Sequence, residues 1–361
     1  MENWEAPLDE TLQRDLEHIV AAAPEKEALQ GSSILITGAT GLVGSLTVKA
    51  LACMNRLLDT DIRIMAGVRN PRKARSLFGP LLDRGDLTLV PGDVTEPIPV
   101  DGPVDYLIHT ASVTASKTFV TKPVETLVTA IEGTRNMLEL AKEKRVRSRV
   151  YVSSMEAYGI TDPALERVCE KDLGYIDVLN VRSSYSEGKR ACECLCAAYA
   201  SEYGVPVKIA RLAQTFGAGV SAEDTRVFAQ FARSCMTSAD IVLHTAGNSM
   251  GNYCYTTDTI LALLTLLHRG RDGEAYTVAN DSAAMRIRQV AQLASDTLTG
   301  GRVKIVFDIP ESALTYGYAP DVTMRLSNEK LRQLGWEPEI PLPEMFRRLV
   351  KSFEAQAAAG Q

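Results

Sequence analysis

Two hydrophobic periods alternate along the chain. Short β-branched runs, SILITGA (33–39), IRIMAGV (62–68), DLTLVPG (86–92), VDYLIHTA (104–111), SRVYVSS (148–154) and VKIARLA (207–213), have the length and composition of buried strands. Between them stand longer stretches with helical periodicity, such as GSLTVKALACMNRLL and PVETLVTAIEGTRNMLELAKEK. That alternation predicts β-α-β units, and so an α/β fold with a doubly wound parallel sheet covered on both faces. The crevice beyond the carboxyl ends of the strands is then the expected ligand site.

After about residue 216 the pattern loosens into GAGVSAED, HTAGNSMGN and the Pro-rich EIPLPEMF. The predicted organisation is a helical leader over 1–30 and a dinucleotide-type domain over 31–215, with a returning segment near 252–270. A smaller substrate lobe is assembled from 216–251 and 271–361. The cleft lies between the domain and the lobe.

Composition narrows the function by exclusion. A formal charge of -6 gives no basic footprint for nucleic acid or an anionic membrane. No apolar run reaches the roughly 20 residues of a membrane span. MENWEAPLDETLQRDLEHIV carries acids where a signal peptide would be basic and then apolar. The seven cysteines lack paired spacing, which suits a reducing, cytoplasmic setting. Cys192, Cys194 and Cys196 are read as helix packing rather than a metal site, since neighbours at i and i+2 face apart and no histidine is nearby. No metal is expected.

TGATGLVG places Gly38, Gly41 and Gly44 between the first strand and the first long helix. Gly38 fits a tight turn, Gly41 allows backbone N–H groups to approach a pyrophosphate, and Gly44 allows close helix–strand packing. The phosphate charge then meets the positive end of the helix dipole. The second strand ends in Arg69, followed by Arg72 and Lys73, where an acid would bind the ribose hydroxyl of NAD. A guanidinium there suits the 2'-phosphate of NADP. In RSSYSEGKR, Tyr185 and Lys189 stand four residues apart and share a helix face, so phenol and ammonium can converge on one point.

With GDV at Asp93, HTAS at 109–112, SSMEAYG at 153–159 and LGW at 334–336, these motifs resemble the extended branch of the short-chain dehydrogenase/reductase superfamily, the sugar-nucleotide epimerases and dehydratases, over about residues 31–350. The resemblance implies a Rossmann fold and makes Tyr185 the base, Lys189 its tuner and Ser154 the orienter of the reacting oxygen. It sets Thr40, Leu42, Val43, Asp93, Val94, Thr110, Ala111 and Ser112 along the dinucleotide with the three glycines. Relatives that recycle their cofactor mostly hold NAD, so family and Arg69 point different ways and the form, NAD(P), stays open. Glu156 matches a glutamate of the 4,6-dehydratases and the UDP-glucuronate decarboxylases that handles protons near C5 of the sugar. Met155 stands where the dehydratases keep an aspartic acid, and a thioether cannot protonate a leaving hydroxyl. Decarboxylation or epimerisation therefore ranks above dehydration, and the sequence around Tyr185 looks most like the decarboxylases.

The acceptor side departs from that pattern. Gln214 replaces an asparagine that meets the diphosphate, Asn252 replaces an anion-holding arginine, and Ala130 replaces a structural asparagine. Arg226 is the candidate substitute cation, and Ser112, Ser154, Gln214, Arg226 and Asn252 form the expected substrate set. The helical patterns at 123–144 and 185–203 match the pair through which such enzymes form homodimers. Two rival functions remain open: a one-way NADPH-dependent ketone or aldehyde reductase, and a non-catalytic dinucleotide sensor.

Overall fold

The computed structural model describes residues 4–309 and 321–359. Its main sheet contains Ser33–Thr37 (β1), Arg63–Val68 (β2), Leu87–Pro91 (β3), Tyr106–His109 (β4), Ser148–Ser154 (β5), Val207–Leu212 (β6) and Ala275–Val278 (β10). The order is β10-β6-β5-β4-β1-β2-β3, parallel throughout. All six predicted strands are present. The sheet is buried on both faces, so side-chain alternation splits one strand between two cores. Ile34 and Ile36 of β1 join the core under Leu42–Leu58 (α2) and Thr256–Arg269 (α8), while Leu35 joins the core under Pro123–Lys144 (α5) and Ser184–Tyr203 (α6).

The remaining strands build the smaller lobe. Gln214–Phe216 (β7), Met250–Tyr255 (β9) and Asn280–Arg286 (β11) form a three-stranded sheet, and Ile241–Leu243 (β8) pairs with Ile305–Phe307 (β12). Val227–Met236 (α7), Ile287–Thr299 (α9) and Leu342–Ala359 (α11) pack on them around Phe216, Phe228 and Phe346. Three shorter helices, Pro71–Phe78 (α3), Ser116–Thr121 (α4) and Glu329–Arg332 (α10), complete the set among the described residues with Glu10–Ala22 (α1).

Two boundaries differ from the sequence expectation. The segment read as a leader is part of the structure's interior: Leu12, Leu16, Ile19 and Val20 of α1 are buried in the same core as α2 and α8. Strand β10, assigned to the lobe, closes the edge of the large sheet, whereas β9, assigned to the returning segment, belongs to the small one. The exchange of β9 and β10 follows from their being short strands that carry no period of their own beyond four to six residues. No helix among the described residues is long and apolar enough to cross a membrane.

Candidate active site

The strand carboxyl ends open into a cleft of about 2150 Å³. Every residue assigned from sequence to cofactor, substrate or chemistry lines this cleft, except Asn252.

At its first wall the chain turns at Gly38, with φ of +69°. A Cβ there would lie 2.6 Å from the Ala111 nitrogen, and one at Gly44 would lie 2.4 Å from the Gly38 oxygen. Neither position admits a side chain. Gly41 caps α2 and its missing Cβ faces only the Gly38 oxygen at 3.3 Å, so the amides opening the helix stay accessible. Thr110 braces the turn by donating to the Thr37 carbonyl at 2.8 Å. The shape is that of a pyrophosphate cradle. Further along, the Val94 side chain packs where a Cβ on Gly133 would sit, and its carbonyl accepts from Asn136 Nδ2 at 2.9 Å. Arg69, 70% exposed, stands 3.9 Å from Asp93. Ser112 donates to the Val113 carbonyl at 3.2 Å.

The chemical wall is built by β5 running into a single 3-10 turn, Met155–Tyr158, and by the first turn of α6. Tyr185 stacks on Phe119, centroids 4.3 Å apart and planes 9° apart, which fixes the phenol plane. Lys189 is buried, donates to the Val152 carbonyl at 2.8 Å, and lies 5.7 Å from the Tyr185 ring centre. Its burial pushes the ammonium down to about 8. Burial also raises the Tyr185 phenol, and the Glu156 charge adds to the rise; a hydrogen bond from Ser154 and the cations Arg182 and Arg226 oppose it. Among the chain's own groups desolvation and Glu156 dominate, whereas the downward tuning expected from the sequence is assigned to Lys189 together with a positively charged nicotinamide. Burial and Glu156 thus favour the neutral phenol, and lowering it requires added positive charge beside the ring.

Glu156 is not a bare carboxylate at a helix start. Arg182 grips it with both arms, Nη1 to Oε2 at 2.6 Å and Nη2 to Oε1 at 3.1 Å, and Ser186 donates to Oε2 at 3.1 Å. Sequence reading missed Arg182, Ser186 and Phe119. Arg182 opens the very motif that holds Tyr185, and a carboxylate placed in a cleft asks for a cation nearby; Phe119 had no local signal.

Asn252 is the correction. It is fully buried, donates to the Met324 carbonyl at 3.0 Å and accepts from the Leu326 amide at 3.0 Å. Strand alternation turns it inward, while its neighbour Gly251 lines the cleft. Arg226 does reach the cleft, but Asp224 holds it, with Nη2 to Oδ2 at 2.6 Å. Gln214 lines the same side, at the start of β7. His109 is buried with Nδ1 2.6 Å from the Thr37 hydroxyl, a packing position. Cys192 contacts the Ala130 carbonyl at 3.1 Å and packs with Cys196 in the core beneath α5 and α6.

Against known sequences, the profile of the NAD dependent epimerase/dehydratase family matches residues 34–279. The chain belongs to this family. Relatives within the NAD dependent epimerase/dehydratase family include UDP-glucuronic acid decarboxylase 1 of Danio rerio, 30% identical over 329 residues, covering 90% of this chain and 73% of that protein. UDP-glucuronic acid decarboxylase 5 of Arabidopsis thaliana is 29% identical over 324 residues, covering 89% of each. Among solved structures, UDP-glucose 4-epimerase of Thermotoga maritima, with UDP-glucose, superposes with a TM-score of 0.74 at 20% identity, over 90% of this chain and 99% of that one. The dTDP-glucose 4,6-dehydratase of Bacillus anthracis, in complex with NAD, gives 0.71 at 20% identity, over 91% and 98%. These superpositions establish the shared fold. The protein is an enzyme of the nicotinamide-dinucleotide-dependent epimerase/dehydratase type.

Proposed function

We propose that the protein decarboxylates a UDP-linked hexuronic acid through transient oxidation at C4. The observation that carries this reading is the grouping of Ser154, Tyr185 and Glu156 on one wall of the cleft, with Met155 where a dehydratase would need an acid. The similarity to UDP-glucuronic acid decarboxylases over nine-tenths of the chain supports the same substrate class.

The residues present fit a nicotinamide dinucleotide. The Gly38 turn and the Gly41 end of α2 would hold the pyrophosphate, and Arg69 the ribose. When bound, that group supplies a reversible hydride acceptor. The remaining work falls to the chain. Tyr185, as the phenolate that Lys189 and the positive charge of a bound oxidised nicotinamide would together favour, receives the C4 hydroxyl proton, and Ser154 holds the oxygen by hydrogen bonding. The C4 ketone makes the C6 carboxylate a β-keto acid; the C5–C6 bond breaks, CO2 leaves, and the electron pair passes into the enolate. A proton from solvent then adds to C5, hydride would pass back to C4, and Tyr185 gives its proton to the C4 oxygen. Glu156, fixed by Arg182 and Ser186, accepts hydrogen bonds from ring hydroxyls and keeps the sugar face oriented.

At the ribose end the reading favours NADP, because β2 ends in Arg69 and Lys73 also lines that part of the cleft. Helices α5 and α6 pack side by side and leave Val124 and Val128 of α5 exposed, which supports a homodimer through that face.

The test is incubation of the purified protein with UDP-glucuronate, mass spectrometry of the products, and identification of the dinucleotide released on denaturation. Loss of CO2 to a UDP-pentose is expected. A UDP-hexuronic acid of unchanged mass but altered stereochemistry would replace decarboxylation by epimerisation, and net consumption of NADPH would replace both by a one-way reductase.

A further inference from the structure

The loop over residues 217–222, which follows β7, borders the cleft beside Gln214 and carries Gly219, Val220 and Ser221 on its lining. Its amides bond to side chains. The Ala218 N–H donates to the Tyr255 hydroxyl at 3.3 Å, the Gly219 N–H to Ser352 Oγ at 3.0 Å, and the Ala222 N–H to Gln356 Oε1 at 2.9 Å. Gln356 also donates from Nε2 to the Val220 carbonyl at 2.8 Å.

Two of these side chains are in turn held by α1 and its cap. Tyr255 donates its hydroxyl to Asp15 Oδ2, and Arg348 of α11 closes the other side of that carboxylate at 2.7 Å. Ser352 donates to Asp9 Oδ2, while Asp9 Oδ1 caps α1 by accepting from the Leu12 amide at 2.9 Å. Asp15, Tyr255 and Ser352 are all buried, so each oxygen is forced to keep its partner. The packing agrees with the bonding. A Cβ on Gly217 would meet the Tyr255 ring at 2.3 Å, and one on Gly219, whose φ is +86°, would lie 2.9 Å from Leu46 of α2 and 3.5 Å from Leu12 of α1. The loop rests directly on these residues.

We infer that α1 is a positioning element of the substrate side: Asp9 through Ser352, and Asp15 through Tyr255, set the place of the 217–222 loop and thereby the affinity for the sugar-nucleotide substrate. The assignment of this loop to the substrate half rests on the proposed function. The hydrogen-bonded relay itself does not. The dinucleotide half is braced by β1, β4 and α2, and among the described residues neither relay hydrogen-bonds to those elements. The hydrogen bonds that hold the loop therefore come from Tyr255 of β9 and from Ser352 and Gln356 of α11, while Leu46 of α2 contributes apolar packing only.

The experiment compares wild type with Tyr255→Phe and Ser352→Ala, each of which removes one oxygen and keeps the ring or backbone in place. Hydrogen–deuterium exchange by mass spectrometry is read on peptides covering 217–222 and on peptides covering β1–β5, and titrations are made with UDP-glucuronate and with NADPH. Each variant is expected to accelerate exchange in 217–222 by roughly tenfold, the loss of one hydrogen bond. It should also raise KM for the UDP-sugar about three- to tenfold, with kcat within about twofold and the NADPH affinity unchanged. Asp15→Asn, which keeps an acceptor for Tyr255 but drops the charge facing Arg348, should fall between Tyr255→Phe and wild type.

Acceleration spread equally over β1–β5 would overturn the inference, because it would mean only global loosening. Unchanged exchange in 217–222 would overturn it as well, and so would a loss of NADPH affinity equal to that of the UDP-sugar. Local acceleration in a protein that binds no UDP-glucuronate would defeat the proposed substrate while upholding the relay.

Discussion

The two halves of the cleft are held together by different kinds of contact. On the dinucleotide side the backbone does the shaping: Gly38 turns where no Cβ fits, Gly44 lets α2 touch the turn, and Thr110 ties β4 to β1. On the substrate side the shape comes from long-range side-chain pairs, Glu156 with Arg182, Arg226 with Asp224, Asn252 with Met324 and Leu326, and Asp15 with Tyr255 and Arg348. Backbone shape demands particular residue types at fixed local spacing. Pairing demands only that two groups meet in space, so many sequences satisfy it.

That contrast can be broken at several points, and the largest effect belongs to the chemistry shared by both halves. Tyr185→Phe removes the proposed proton acceptor and should lower kcat by about 10²–10⁴-fold while dinucleotide affinity stays constant, measured by turnover and fluorescence titration. Gly38→Ala forces a Cβ into the Ala111 backbone at a positive φ, so dinucleotide affinity should drop at least about tenfold. Retained affinity in that variant would mean the turn is not the cradle.

Arg182→Met leaves Glu156 without its bidentate partner and should cut kcat/KM for the sugar nucleotide by roughly 10- to 100-fold, again with NADPH binding intact. Lys189 supplies a pH signature: its charge is present below about 8 and lost above it, so the rate should decline as pH rises through that value, two or more units earlier than for an ordinary lysine. A flat profile to pH 10 would remove Lys189's charge from the account. The smallest effect on function is expected from Asn252→Ala. It should cost about 2 kcal/mol in urea unfolding, by stranding the buried Met324 carbonyl and Leu326 amide, and leave KM unchanged. A raised KM with normal stability would return Asn252 to the substrate set.

The same contrast explains which parts of the molecule the sequence disclosed. The strands of the main sheet are continuous apolar runs because both of their faces are covered, and the glycines mark positions where nothing else fits. Those features are local and readable. Strand β10, four residues long, looked like any short apolar patch, and α1 looked like a leader because nothing local in Leu12, Leu16, Ile19 and Val20 names the core they enter. Arg182 lies three residues from Tyr185 in the chain, yet its partner is 26 positions away, and no spacing rule connects them. Asn252 was misplaced for a related reason: alternation along β9 decides whether a residue faces the cleft or the interior, and the neighbouring segment that holds it lies 72 residues further on.

The most direct test of the central claim, a closed redox cycle that removes a carboxylate at C5, is turnover of UDP-glucuronate in D2O followed by mass and NMR analysis. The account predicts a UDP-pentose carrying one solvent deuterium at C5, formed with no net change in nicotinamide absorbance. An unlabelled product, or one formed in step with the disappearance of NADPH, would contradict it.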